Sequence, residues 1–192
     1  MNTHAKESGF ALLMTLVVVS VVLSVGLSIL DLSIKQVKLS SNAKDSEIAF
    51  HAANAGMECA RYWRRNNSNE MESGQVINPT CFGVGPDTNS INSILPTVIT
   101  VDGEVNLYTY LFTWGADPRC TQISTLVASS SVIGVGVTTT NMTALIPGYP
   151  GGDDKFCEPG ARCTVISVQG YNRPCNTATG YGTIQREVLL QF

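Results

Sequence analysis

Charge is scarce in this sequence. Of 192 residues only 14% are Asp, Glu, Lys or Arg, and 12 basic against 15 acidic side chains leave a formal net charge of −3. That is no basic footprint of the kind nucleic-acid binding draws on, so no nucleic-acid partner is indicated. Histidine is scarcer still. His4 and His51 are the only two, which disfavours His-based catalysis and zinc sites built from several imidazoles. Proline is absent before Pro79, so no pyrrolidine ring interrupts a helix in the first third of the chain. Enzymatic signatures are missing too. There is no G-x-S-x-G, and Gly-Val-Gly at 83–85 and 134–136 lacks the Lys-Ser/Thr that a phosphate loop requires. We therefore expect no enzyme activity and no cofactor. At roughly 100–200 residues per domain, the chain holds one domain and an appendage.

The appendage is at the N-terminus. No charge occurs from Ser8 to Leu30, and the stretch FALLMTLVVVSVVLSVGLSIL fills 10–30. At ~1.5 Å per residue that segment spans about 30 Å, the thickness of a bilayer hydrocarbon core. It is too long for the apolar region of a cleaved signal peptide, and no Ala-x-Ala-like site follows it, since Leu30 leads into DLSIKQVKLSS. A membrane-inserted helix is expected. Charge does not orient it, because Lys6 precedes the run while Lys35, Lys38 and Lys44 follow it. All six cysteines lie beyond it, between Cys59 and Cys175. Such a set suits an oxidising compartment and puts the C-terminal part outside the cytoplasm.

The residues before the run carry further information. A hydrophilic leader, MNTHAKESG, ends in Gly9 and is followed at once by Phe10 and the apolar helix. This K-E-S-G-F-A-L-L-M-T-L junction resembles a type IV prepilin leader. In that superfamily of pilins and pseudopilins a membrane-embedded aspartyl peptidase cuts after the Gly and methylates the new N-terminal residue. The resemblance implies cleavage between Gly9 and Phe10, with Phe10 N-methylated. It also implies that the helix serves as membrane anchor and then as filament core. The family's major pilins carry Glu at the fifth mature position, thought to pair with a neighbour's N-terminal amine. That position here is Met14, which removes the docking carboxylate along with the cost of burying it in hydrocarbon. Within the family, loss of this Glu goes with minor, tip-located subunits. The segment AFHAANAGMECA, Ala49 to Ala60, is similar to a stretch of minor pilins of the PilX type, with Asn54 in place of the usual Glu.

After Asp31 the pattern becomes amphipathic. Ile34, Val37, Ser41, Ile48, Ala52, Ala55, Cys59 and Tyr62 follow helical spacing, and NNSN at 66–69 is a stop signal. One helix from Phe10 to Arg65 would be about 84 Å long. Ala52, Ala53, Ala55 and Gly56 are small enough to admit another backbone, from the head or from neighbouring helices. The domains expected are thus a leader at 1–9, a membrane or filament-core helix at 10–30, an amphipathic helix at 31–65 and a disulfide-containing, β-rich head at 66–192.

Residues 66–96 read as a long surface connection rich in Asn, Ser, Gly and Pro. Strand patterns follow at 97–101, 105–114, 121–139, 163–171 and 183–192, the first two joined by an Asp102-Gly103 turn. Tyr108, Tyr110, Phe112 and Trp114 share one face by period-two alternation and are read as packing residues. The fold class expected is α+β, a long N-terminal helix on a mostly antiparallel sheet, as in pilins. Six cysteines permit fifteen pairings. Cys59–Cys81 would tie the long connection to the helix, worth about 3 kcal/mol by loop entropy. Cys157–Cys163 would close CEPGARC, leaving Cys120–Cys175. Asp153, Asp154 and Glu158 offer oxygen ligands for calcium, but Lys155 stands among them and no EF-hand spacing is present, so a solvated loop is the preferred reading.

The sequence therefore reads as a minor type IV pilin or pseudopilin, acting in assembly initiation or at a filament tip. Its expected partners are a prepilin peptidase, other pilin subunits through the N-terminal helix, the inner-membrane assembly machinery and the membrane itself. It would begin as a single-pass protein of the cytoplasmic membrane with its head outside, and end in a pilus, a pseudopilus or at the cell surface. The alternative is a tethered, adhesin-like binding protein that never polymerises.

Overall fold

A computed structural model describes residues 7–94, 103–146 and 148–192. Its longest element is α1, Glu7–Asn66, one α-helix of 60 residues. The chain divides into two compact units, Met1–Lys44 and Asp45–Phe192, each described here by itself.

In the first unit the described residues are all helical, and from Phe10 to Lys44 every side chain is exposed. The segment is long and apolar enough to cross a membrane. Its hydroxyls are turned inward on the helix's own carbonyls: Thr15 donates to Leu12 O, Ser20 to Val17 O, Ser28 to Ser24 O and Ser33 to Ile29 O, at 2.8–3.0 Å. Satisfying these groups internally lowers the cost of placing them in hydrocarbon. The apolar stretch ends at an exposed Asp31–Lys35 pair at 2.8 Å. The amphipathic pattern placed Ile34 and Val37 on a head-facing stripe. They are 48% and 69% exposed instead.

The second unit is α+β. The remainder of α1 lies on a five-stranded antiparallel sheet of order β1-β2-β3-β6-β7, with β1 Thr88–Ile94, β2 Gly103–Trp114, β3 Arg119–Ser130, β6 Arg162–Tyr171 and β7 Gln185–Gln191. A second, two-stranded sheet joins β4 Val137–Thr139 to β5 Lys155–Cys157. Two short helices, α2 Ser68–Glu72 and α3 Met142–Leu145, complete it. The expected strand at 97–101 and residue Asp102 of the expected turn lie outside the described residues, as do residues 1–6 of the leader. Residues 66–96 are not the uniform connection expected, because α2 and β1 lie within them, β1 pairing along its length with β2 from Thr88↔Leu111 to Ile94↔Val105.

Alternation along the strands builds two cores. On the helix side, Tyr108, Tyr110 and Phe112 of β2, Ile123 and Val127 of β3, and Ile166 and Val168 of β6 pack with Ala53, Met57 and Ala60 of α1. On the other face Val105, Leu107, Leu126 and Val165 are covered by Val137, Met142, Ile146 and Tyr149. The sheet is thus a middle layer over part of its extent, which is why β2 is buried on consecutive residues from Val105 to Tyr108.

The helix buries Ala49, Ala52, Ala53, Gly56, Met57, Ala60 and Arg64, a stripe at three- and four-residue spacing. Of the residues the sequence placed on that face, Ala52 belongs to it, whereas Ala55 and Tyr62 are exposed. The reason is the depth of contact. A Cβ added at Gly170 of β6 would run into Ala49 O and Ala53 N, and one at Gly56 would meet Thr121 Cγ2 at 2.5 Å and Val168 Cγ1 at 2.7 Å. Helix and sheet backbones approach so closely that only small side chains fit between them.

Candidate functional site

Two regions carry the residues singled out from the sequence. Gly9 and Phe10 fall in the opening turns of α1, and Phe10 is 65% exposed. Met14 follows one turn later, 49% exposed on a helix face of unbroken aliphatic character. A thioether at this place presents no charge to a neighbouring amine. What the segment can do is exchange one apolar surrounding for another, whether lipid or other helices.

In the head, the cysteines form three disulfides, Cys59–Cys81, Cys120–Cys175 and Cys157–Cys163, the pairs favoured from the sequence, and no described cysteine is free. Each secures a segment with little regular structure. The first fastens the stretch between α2 and β1 to α1, where Trp63 Nε1 also donates to Thr80 O at 3.2 Å. The turn that follows puts Phe82 at φ 58°, and its ring stacks on Trp114 at 4.3 Å and meets Phe112 edge-on. The second bond fastens the segment after β6 to the start of β3. The third ties β5 to β6.

The acidic loop does not assemble a cation site. Asp153 Oδ1 accepts a hydrogen bond from Thr143 Oγ1 at 2.6 Å, Lys155 Nζ donates to Gln191 Oε1, and Asp153, Asp154 and Glu158 are all exposed. Among the described residues no three His, Cys, Asp or Glu side chains gather in a way that could hold a metal ion. Pro147 of the same loop lies outside the described residues.

The aromatic face of β2 is interior. Tyr108 is fully buried and its hydroxyl faces three carbonyl acceptors, Met71 O at 3.0 Å, Gln75 O at 3.2 Å and Glu70 O at 3.5 Å, so it closes the end of α2 over the sheet. Burial pushes its pKa up to about 12, with Glu104 adding to the rise and Arg64 opposing it. Tyr110 is buried as well, its pKa raised by burial first and Tyr108 second. Its hydroxyl has no hydrogen-bond partner among the described residues.

One cluster had no counterpart in the sequence reading. Arg64, 6% exposed, donates from Nε to Thr164 Oγ1 at 3.0 Å and from its terminal nitrogen to Glu72 Oε1 at 2.8 Å. The other oxygen of Glu72 meets Arg162 Nε at 3.3 Å. One half-buried carboxylate thus orients two guanidinium groups from different elements. The available signal was positional, since Arg64 lies four residues beyond Ala60 on the buried stripe. Scans of the chain against protein-family models, curated proteins and solved structures return no match.

Proposed function

We propose that this chain is a minor subunit of a type IV pilus or pseudopilus, processed between Gly9 and Phe10 and acting in assembly initiation or at the tip. The observation that carries the reading is α1 itself. A single 60-residue helix has an N-terminal half that is apolar and exposed on all sides and a C-terminal half that packs on an antiparallel, disulfide-linked sheet. This is the architecture a subunit needs if it is stored in a membrane and later polymerised through its helix.

In this reading Phe10–Leu30 anchors the precursor in the cytoplasmic membrane with the head outside, where three disulfides are stable. Assembly then replaces lipid by the helices of neighbouring subunits, with little change in apolar burial. Because Met14 brings no carboxylate, the subunit does not recruit the next one by ion pairing, and a low-copy place at initiation or at the tip follows. The work is mechanical, and no catalytic group is required. The prepilin peptidase and the inner-membrane assembly machinery are the further partners.

The test is mass spectrometry of the N-terminal peptide from protein made in its native host. A chain that begins with N-methylated Phe10 is expected. An N-terminus retaining residues 1–9 would overturn the proposal in favour of a tethered binding protein that does not polymerise.

A further inference from the structure

Away from α1, the five-stranded sheet is covered chiefly at its two ends. Met142, Ile146 and Tyr149 close over Leu107, Leu126 and Val165 at one end, and the Cys120–Cys175 bond brings the segment after β6 onto β3 at the other. The register places two rows of side chains between these covers, with Gln122, Gln169 and Glu187 in one and Thr109, Ser124 and Ser167 in the next. Together they floor a shallow trough across the strands. Alternation sends Arg119, Arg162 and Arg186, the arginines of these strands, to the helix side. The one charge on the floor is therefore the Glu187 carboxylate.

We propose that this trough binds a neutral oligosaccharide. Water satisfies the polar groups of an ordinary solvent-facing sheet, but here they are recessed. Ser124 is 6% and Gln169 8% exposed, and neither the Ser124 hydroxyl nor the Gln169 amide nitrogen has a hydrogen-bond partner among the described residues. Such groups lose most of their hydration without a protein bond in return, a cost that a ligand's own hydroxyls remove. The Gln122 amide beside them is likewise unengaged among the described residues. Ser167 Oγ donates to Glu187 Oε1 at 2.6 Å, so a carboxylate is held in place at the end of its row, an acceptor for two adjacent ligand hydroxyls. Tyr171 Oη donates to Gln169 Oε1 at 2.8 Å, which lays its ring along β6. With half-buried Leu111 it gives the C–H faces of a sugar ring an apolar surface. Amides, hydroxyls and a single carboxylate, with no arginine or lysine in these rows, match a polyol and repel an anionic glycan. Binding here is independent of filament assembly, so the two proposals stand or fall separately.

The experiment is calorimetric titration of the full chain in phosphatidylcholine nanodiscs, which bring no glycoside detergent to compete. The probes are maltohexaose, chitohexaose and mannohexaose, with a heparin hexasaccharide as their anionic counterpart. Saturable binding of at least one neutral hexasaccharide is expected, and the heparin fragment should bind about tenfold more weakly or not at all. Ser124→Ala and Gln122→Leu are each expected to weaken the neutral sugar about tenfold without lowering the thermal midpoint, because neither side chain holds a hydrogen bond among the described residues. Absence of saturation with all the neutral hexasaccharides overturns the proposal, as does binding that both substitutions leave unchanged or equal affinity for the heparin fragment. Sedimentation showing a dimer of the full chain that Ser124→Ala and Gln122→Leu dissociate overturns the sugar in favour of a second copy of this chain.

Discussion

The two halves of α1 share one backbone conformation and have opposite surroundings. From Phe10 to Leu39 every large apolar side chain is exposed, with Leu, Val and Ile at almost every turn and on every face. From Ala49 to Ala60 the helix has one buried face, made mostly of Ala and Gly. Bulk sorts them. A helix ringed by branched aliphatic residues cannot satisfy its surface against a single sheet and calls for an apolar medium or several helices around it. A helix with a narrow small-residue stripe does the reverse, because it brings its backbone down to a sheet. Hydrophobicity alone would have ranked the first half as the better core element, but residue size decides which half becomes core.

Glycine gives the sharpest way to break this comparison. Gly170→Ala places a methyl against the backbone of Ala49 and Ala53, atoms that cannot rotate away, so the helix must lift from the sheet. A loss of about 3 kcal/mol or more is expected in chemical denaturation of the head. Gly26 has nothing within 4 Å, so Gly26→Ala should leave the head's denaturation midpoint where it was. A Gly170→Ala head as stable as the parent would mean that the close approach is not what seats the helix.

The disulfide at the helix sharpens the contrast at a slightly smaller scale. Cys59–Cys81 closes a separation of 22 residues, for which loop entropy gives about 3 kcal/mol. Cys59→Ala with Cys81→Ala is expected to lower head stability by that amount and to make the stretch between α2 and β1 the first site of protease cleavage. The helicity of residues 10–44 should not respond. Cleavage that begins elsewhere would show that Trp63 and the Phe82 turn hold the segment without the bond.

Particular residues show what the sequence made legible. Strand β2 follows from alternation, since Tyr108, Tyr110 and Phe112 point one way and Val105 and Leu107 the other. Strands β6 and β7 lie at the expected strands at 163–171 and 183–192, whereas the single stretch expected at 121–139 is two strands, β3 ending at Ser130 and β4 at Val137–Thr139 in the second sheet. Strand β1 was missed because TNSINSI has few residues that favour strands in isolation. Its place is set by the β2 ladder, a non-local cause. Helix α2 has only five residues, too few to show a period. The buried stripe was misphased because large residues such as Tyr62 were taken as inward. The backbone approach at Gly170, which excludes them, joins residues more than a hundred positions apart. Arg64 and its partners Glu72, Arg162 and Thr164 come from three elements, α1, α2 and β6, so no local pattern announces them.

The smallest effects are expected inside the head's own core, where two tyrosines on one strand face differ only in what their hydroxyls meet. Tyr108→Phe removes a buried donor from the carbonyls of Met71 and Gln75, and a loss of about 1–2 kcal/mol is expected. Tyr110→Phe removes a buried hydroxyl that has no partner among the described residues, so it should be neutral or stabilise by up to about 1 kcal/mol. Alkali separates the pair further. Burial raises the pKa of both above the ordinary phenol value of 10.0, and a phenol with a raised folded pKa holds its proton in the native state after the unfolded chain has lost it. Its contribution is therefore complete below about pH 10 and is lost as pH climbs from there, through about 12 for Tyr108. Denaturation midpoints of the parent should fall above pH 10, and Tyr110→Phe should fall less steeply. A variant whose midpoint drops as fast as the parent's would mean that other groups drive the alkaline loss. Tyr171, raised by burial and by Glu187, would then be the next residue to replace.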